Sequence, residues 1–456
     1  MPAVTGKNAG KKTQVSQKIP LSLKYRNLIT RMKEYTARFV LACVAILGFA
    51  TCKKAYNNPN PDTYTITLAT PVQNGNLVTL HWSKLNNDSL MDYVVEKVVD
   101  TTDWVTEHNP VRIIVSKDST QFTDTLALMP YVQYCVVGET AKTGYASNKV
   151  IYSRTDINFM NIYPTSALID HTTQLLYITG ANEGNDAAIA VYDLQHGKQV
   201  ATVTFGAAGI GGCDLGTYNG TRELYVPSED GDLSIYNAAT LALIIHISVG
   251  GELHGVVCTG NILYVTGEAA SGGDYTYVYN RGTQALISQS STVSNISLQQ
   301  IPGTNSSFYA VSDGFNDYLY KYDNNGNLLY QKTGYPGNGI MNPGLFEVFP
   351  NGSGFISGNG NIFNDSLAVA GTMPHGSLSY NSICFDSTGQ WIYAATTANT
   401  IVKYSAGSYN VAASYHTQGT PAKIFYYNGG ILSVSYYEYT NGTPGVAETY
   451  SFIEQF

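Results

Sequence analysis

From Tyr64 onward, apolar and polar residues alternate in short runs, the two-residue period of strands rather than the 3.6-residue period of helices. Seven such runs come first: Tyr64 to Ala69, Leu77 to Trp82, Tyr93 to Val99, Val111 to Val115, Gln121 to Thr125, Tyr131 to Val137 and Lys149 to Tyr152. That many short strands in so little chain predict a two-sheet sandwich over residues 62–154.

Over residues 155–456 the alternation becomes a repeat. An apolar strand is followed by a polar Gly/Asp/Asn loop and a second strand ending near a tyrosine. The first strands centre on Tyr177, Tyr225, Tyr264, Tyr309, Phe355, Tyr393 and Leu432, spaced by 48, 39, 45, 46, 38 and 39 residues. This period predicts seven blades of a β-propeller. Runs between the repeats, such as Val200 to Val203 and Leu243 to Ile247, supply outer strands and bring each blade to four. The last repeat lacks a fourth strand after Tyr450 to Ile453, and Ile157 to Tyr163 precedes the first repeat without a partner. Pairing these two closes the ring.

Composition agrees: 44 Gly, 36 Tyr and only 13% charged residues favour an all-β chain of strands and tight turns. Charge divides unevenly. Residues 1–51 hold nine Lys/Arg against the single acid Glu34, so the formal −8 of the chain becomes about −16 from Cys52 onward. So acidic a surface repels phosphate backbones and argues against nucleic acid as a partner.

Residues 1–51 read as a basic tail and an export signal, with Lys33 and Arg38 before the apolar run Phe39 to Ala50, which is too short to span a bilayer. Translation from Met32 would account for the tail equally well. The run ends Phe49-Ala50-Thr51-Cys52, which resembles the lipobox of bacterial lipoproteins, although Phe49 and Thr51 depart from its usual Leu and small residue. The resemblance implies acylation at Cys52, a polar tether over residues 52–61, and anchoring to the outer membrane of the cell envelope, periplasmic or surface side open.

Two further resemblances bear on the fold. Leu128-x-Pro130-x-x-x-Tyr134-x-Val136, with Trp82 on the second strand, is similar to fibronectin type III domains, which implies a spacer rather than chemistry. Trp104 is a rim or sugar-stacking residue on this reading. Leu224-Tyr225-Val226, Leu263-Tyr264-Val265-Thr266 and Trp391-Ile392-Tyr393-Ala394 resemble the YVTN/YncE-like propellers of exported bacterial proteins. That likeness implies binding of diverse ligands and, among Bacteroidetes-type lipoproteins, capture of vitamin B12 for a TonB-dependent transporter.

Candidate chemistry sits where strands start around the propeller axis. Stepping back nine to thirteen residues from each anchor gives Thr165, Asp214, His254, Gln299, Asn342, Asn381 and Lys423, a polar ring at the channel mouth. The loops between second and third strands, on the same face, add acids such as Glu229, Asp232, Glu268, Asp274 and Glu438. Ca²⁺ is the one ion such loops could hold, but tight turns need the same Asp, Asn and Gly, and no run matches a dense calcium loop. The eight His show no zinc spacing, and no nucleophile elbow, Walker loop or Cys-x-x-Cys occurs. The sequence therefore points to a monomeric envelope protein that binds a small ligand, a glycan or another envelope protein. The alternatives are a lyase or hydrolase using His254 with a facing carboxylate, and an architectural protein.

Overall fold

The computed structural model describes residues 64–456 except 100–109, 126–128, 155, 183–184, 207–208, 270, 292–296, 305–306, 312–316, 323–324, 335–344, 375–378 and 441–446. Cys52, the tether, Trp104, Leu128 and Asn342 lie outside the described residues. No described helix is long and apolar enough to cross a membrane.

The chain is all-β. The N-terminal unit has two sheets. Val72–Asn74, Leu77–His81 and Gln121–Asp124 form one, and Leu90–Val99, Val111–Ser116, Tyr131–Thr140, Gly144–Ala146 and Val150–Ser153 form the other. Alternate residues of both face a common core containing Leu80, Trp82, Tyr93, Val95, Tyr134 and Val136. The run Tyr64 to Ala69 contributes only a bridge, Leu68 opposite Trp82, in place of a full strand. At the base of this core the Tyr134 hydroxyl donates to Asp124 (2.6 Å), which also meets the Lys97 ammonium (2.6 Å), so a nearly buried carboxylate is paired rather than isolated.

The rest is a β-propeller. Six four-stranded antiparallel sheets follow one another, with inner strands Tyr163–Asp170, Asp214–Tyr218, Leu253–Thr259, Ser297–Gln300, Phe346–Val348 and Tyr380–Phe385. A seventh sheet, Thr420–Tyr427, Gly430–Thr440 and Ala447–Gln455, has three strands. Its outer place is filled at one point from the start of the propeller: Met160 and Ser451 exchange both backbone hydrogen bonds (2.8 and 2.9 Å). The expected clasp is present as a single bridge pair rather than a strand.

The repeat anchors are what the blades pack with. Tyr177, Tyr225, Tyr264, Tyr309, Phe355, Tyr393 and Leu432 are all buried. Each sits on the second strand of its blade and packs across a blade boundary. Tyr177 lies against Leu224 and Val226 of the next blade. Tyr264 meets Phe308 with ring centroids 4.8 Å apart, and Tyr309 meets Phe355 at 5.1 Å. The buried hydroxyl of Tyr177 donates to Ala238 O of the following blade (2.7 Å), so tyrosine supplies both the apolar filling and the polar link. At the last boundary Leu432 and Val434 share a core with Leu176 and Ile178 of the first blade, and the Tyr427 hydroxyl donates to Gln174 Oε1 (2.5 Å). Tyr450 of the closing strand packs into the core of the N-terminal unit, with Tyr437 and Phe159 beside it.

Between the second and third blades lies a buried ion pair. Arg281 donates through Nε and Nη2 to the two oxygens of Glu223 (2.8 and 2.7 Å), and Tyr225 donates to the same carboxylate (2.7 Å). Every oxygen of the acid is thereby engaged, which is the condition under which a buried charge is tolerated.

Because Leu432 is wholly buried at the ring-closing boundary, Leu432→Ala is expected to cost about 2–5 kcal/mol in denaturant-induced unfolding. An exposed outer-strand substitution, Val411→Ala, should stay within about 0.5 kcal/mol of the parent.

Candidate functional site

The seven inner strands present unpaired edges to the propeller axis, where each backbone N–H needs an acceptor. Side chains from the preceding blade supply several. Asp214 accepts from Cys258 N (2.7 Å) while its other oxygen accepts from Leu215 N (2.8 Å). Gln299 accepts from Val348 N (3.1 Å) and donates to Phe346 O (2.7 Å), so its amide mimics a passing strand. Ser382 accepts from Ile424 N (3.0 Å), and Asn381 donates to Pro421 O (3.1 Å). Between the second and third blades the backbone does the same: Gly212 N donates to His254 O and Val256 N to Gly212 O (2.8 and 3.0 Å).

The axis encloses a cavity of about 620 Å³ lined from all seven blades. Asp214, Gln299, Glu347 and Lys423 reach it, with His171 towards one end. Glu347 Oε2 lies 4.0 Å from Lys423 Nζ and 3.5 Å from Gln299 Nε2. These two charged side chains keep 27% and 21% exposure, and that exposure is to the cavity they line. Burial pushes the Glu347 carboxyl above its ordinary range, against the opposing pull of Lys423 and Gln299. Burial likewise raises Asp214 to about 6, outweighing its two backbone donors.

The polar ring read from the sequence thus separates into three groups. Asp214, Gln299 and Lys423 line the cavity, the first two as latches between blades. Thr165, His254 and Asn381 do not line it. Each is the extra residue of a β-bulge in its inner strand, where the register steps from Ser166 to Pro164, from Leu253 to Gly255 and from Tyr380 to Ser382. A bulge turns its extra side chain out of the alternation, which takes these three away from the lining. Thr165 donates to Thr179 O (3.2 Å), and His254 Nε2 stands 4.0 Å from Asp274 at the start of the third strand of its own blade. The facing carboxylate of His254 is therefore Asp274, while Asp214 is committed to Cys258. Asn342 is outside the described residues.

Glu347 was not among the sequence candidates. It lies five residues after Asn342, in the blade whose inner strand has only three residues, and the step back from the anchor overshoots it. The glycines beside His254 are backbone requirements: at Gly251 (φ 82°) a Cβ would fall 1.7 Å from Glu268 O.

Among the described residues, no three His, Cys, Asp or Glu side chains gather as a metal site. Cys135, Cys213, Cys258 and Cys384 are free, and burial raises all four thiols, Cys258 to about 12, which keeps them protonated and poor nucleophiles.

The chain matches no protein-family profile and no curated protein. Among solved structures it is similar to the β-propeller domain of Cps50 (Swd1) from Myceliophteria thermophila, at 9% identity and a TM-score of 0.47, over 65% of this chain and 99% of that one.

The raised Asp214 carboxyl sets a pH dependence. The folded state holds this proton up to about pH 6 while the unfolded chain releases it near 3.9, so its contribution to stability falls as pH rises from about 4 to 6 and is level above. Asp214→Asn removes the titration. Urea unfolding of parent and variant should show their stability difference shifting by about 1–3 kcal/mol in favour of the variant across that window. A constant difference would contradict the assignment.

Proposed function

We propose that the protein is a binding module of the cell envelope, in which the axial cavity of the propeller receives a small polar ligand or an inserted side chain of a partner. The observation that carries this reading is the division of labour at the axis. Asp214, Gln299, Asn381 and Ser382 are consumed in holding blades together, whereas Glu347 and Lys423 stand at 4.0 Å, loosely paired, and open to about 620 Å³ of cavity. Such a volume and lining suit a ligand with both an acidic and a basic or hydroxyl-bearing group. β-Propellers serve typically as interaction modules, and nothing in the axial chemistry requires turnover.

On this reading the N-terminal sandwich is a fibronectin type III-like spacer. Trp82 and Tyr134 in its core, and the Tyr131 to Val136 segment on its central strand just after Pro130, support the likeness. The Tyr134 hydroxyl reaches the Asp124 side chain rather than backbone, which is a departure from the usual tyrosine corner. The YVTN/YncE-like character rests on the buried anchor tyrosines. Acylation at Cys52 would tether the whole to the outer membrane and bring it within reach of a TonB-dependent transporter or another envelope protein. A lyase or hydrolase reading turns on His254 with Asp274, whose 4.0 Å separation leaves room for a proton to be shared through a bound group.

Thermal unfolding of the full chain in detergent, screened against corrinoids, amino acids, oligosaccharides and Ca²⁺, tests the cavity. A ligand at a hundred times its Kd should add about 2.7 kcal/mol to stability, and the gain should vanish in both Lys423→Gln and Glu347→Gln. If every shift survives both changes, the cavity is not the binding site. Separately, metabolic labelling with palmitate in a bacterial host should mark the parent and leave Cys52→Ala unlabelled; equal labelling would remove the lipoprotein assignment.

A further inference from the structure

The turns on the face opposite the channel mouth hold a second cavity. It is a groove of about 740 Å³ between the fifth and sixth blades, walled by the turns after their first strands and after the third strand of the sixth blade. Its aromatic surfaces are Phe349 and Tyr409, and its rim carries the amides of Asn351, Asn364 and Gln390. No residue lining it bears a formal charge, in a chain whose balance from Cys52 onward is about −16.

The aromatic groups are held in place. Phe349 packs on Phe385 (centroids 5.1 Å), whereas the Trp391 ring lies on the opposite side of the sixth sheet, beside the Lys403 ammonium (4.2 Å to the ring centre) and against the core shared with the seventh blade. Tyr409 reaches from the sixth blade to the fifth, where its ring would be 3.4 Å from a Cβ at Gly371. The backbone at Tyr409 has φ 56°, as do the matching turn positions Leu241 (56°) and Gln284 (59°), so the turn sets the dihedral and leaves the side chain free to vary. Here it contributes a ring that bridges two blades.

We propose that this groove binds a neutral oligosaccharide. A pyranose presents an apolar C–H face to an aromatic ring and a fringe of hydroxyls that both donate and accept; the Gln390 amide can meet these in either sense, and the Asn351 and Asn364 amides as donors, their oxygens being held by their own turns. An ionic ligand would enter this site without a counter-charge, at the full cost of its desolvation. The volume falls in the ordinary range for small-ligand sites, and open ends at Gly407 and Ala370 let a chain run past it. The site shares no lining residue with the axial cavity.

The test is calorimetric titration of the full chain in detergent with cellotetraose, maltotetraose and mannotetraose, with tetragalacturonate as the acidic counterpart. At least one neutral sugar should saturate, and its binding should be lost in Tyr409→Ala. The exposed Gln390→Ala should weaken binding about 3- to 10-fold. A Cβ at Gly407 meets nothing within 4 Å, so Gly407→Phe fills the groove from an open position. It should abolish sugar binding while leaving the melting temperature, and any ligand shift that depends on Lys423, unchanged. The proposal is overturned if no neutral sugar binds, if tetragalacturonate binds as well, or if Gly407→Phe binds like the parent. A sugar whose binding is lost in Lys423→Gln but not in Gly407→Phe belongs to the axis and also overturns it.

Discussion

Seven sheets arranged around an axis leave seven strand edges facing one another across a space too narrow for bulk water and too wide for a closed ladder. The unmet N–H and C=O groups of those edges are the constraint on which the rest depends. Here side chains of one blade serve the backbone of the next, through Asp214, Gln299, Asn381 and Ser382. Much of the axial polarity is therefore structural. The charge left over, at Glu347 and Lys423, is what the cavity can spend on recognition.

The same division explains how much could be read from the sequence. Blade number and spacing were legible because the anchor tyrosines are core residues, and a core residue repeats with the fold. The ring closure was legible because an unpaired run at each end of a repeat array has one economical partner, although only Met160 and Ser451 realise it. Positions around the axis were less legible. A step back from the anchor assumes a constant register, and bulges at Thr165, His254 and Asn381 break it by one residue, which in a strand exchanges one side for the other. The short inner strand Phe346–Val348 displaced the offset further and hid Glu347. The groove between the fifth and sixth blades was not legible at all. Its lining comes from three turns and the strands beside them in two blades, and each turn alone reads as ordinary Asn, Ser and Gly punctuation.

The two cavities differ in kind as well as place. The axial one is shared by every blade, so its shape depends on the ring as a whole, and a change in any latch alters it. The groove belongs to two adjacent blades and rests on side chains of the one boundary between them. A molecule built this way can change its groove without re-solving its closure, whereas the axis is bound to the fold's own hydrogen-bond requirements.

The clasp at Met160 and Ser451 has a mechanical meaning. Residues on the N-terminal side of the propeller are bonded directly to the last strand, and Tyr450 beside that bond is seated in the core of the preceding unit. A pull applied from the N-terminal side therefore enters the disc at both ends of the array at once. The ring is loaded in parallel through its first and seventh blades and not in series, as an open chain of sheets would be. The blades between them, which carry the groove and most of the axial lining, stand outside the shortest force path.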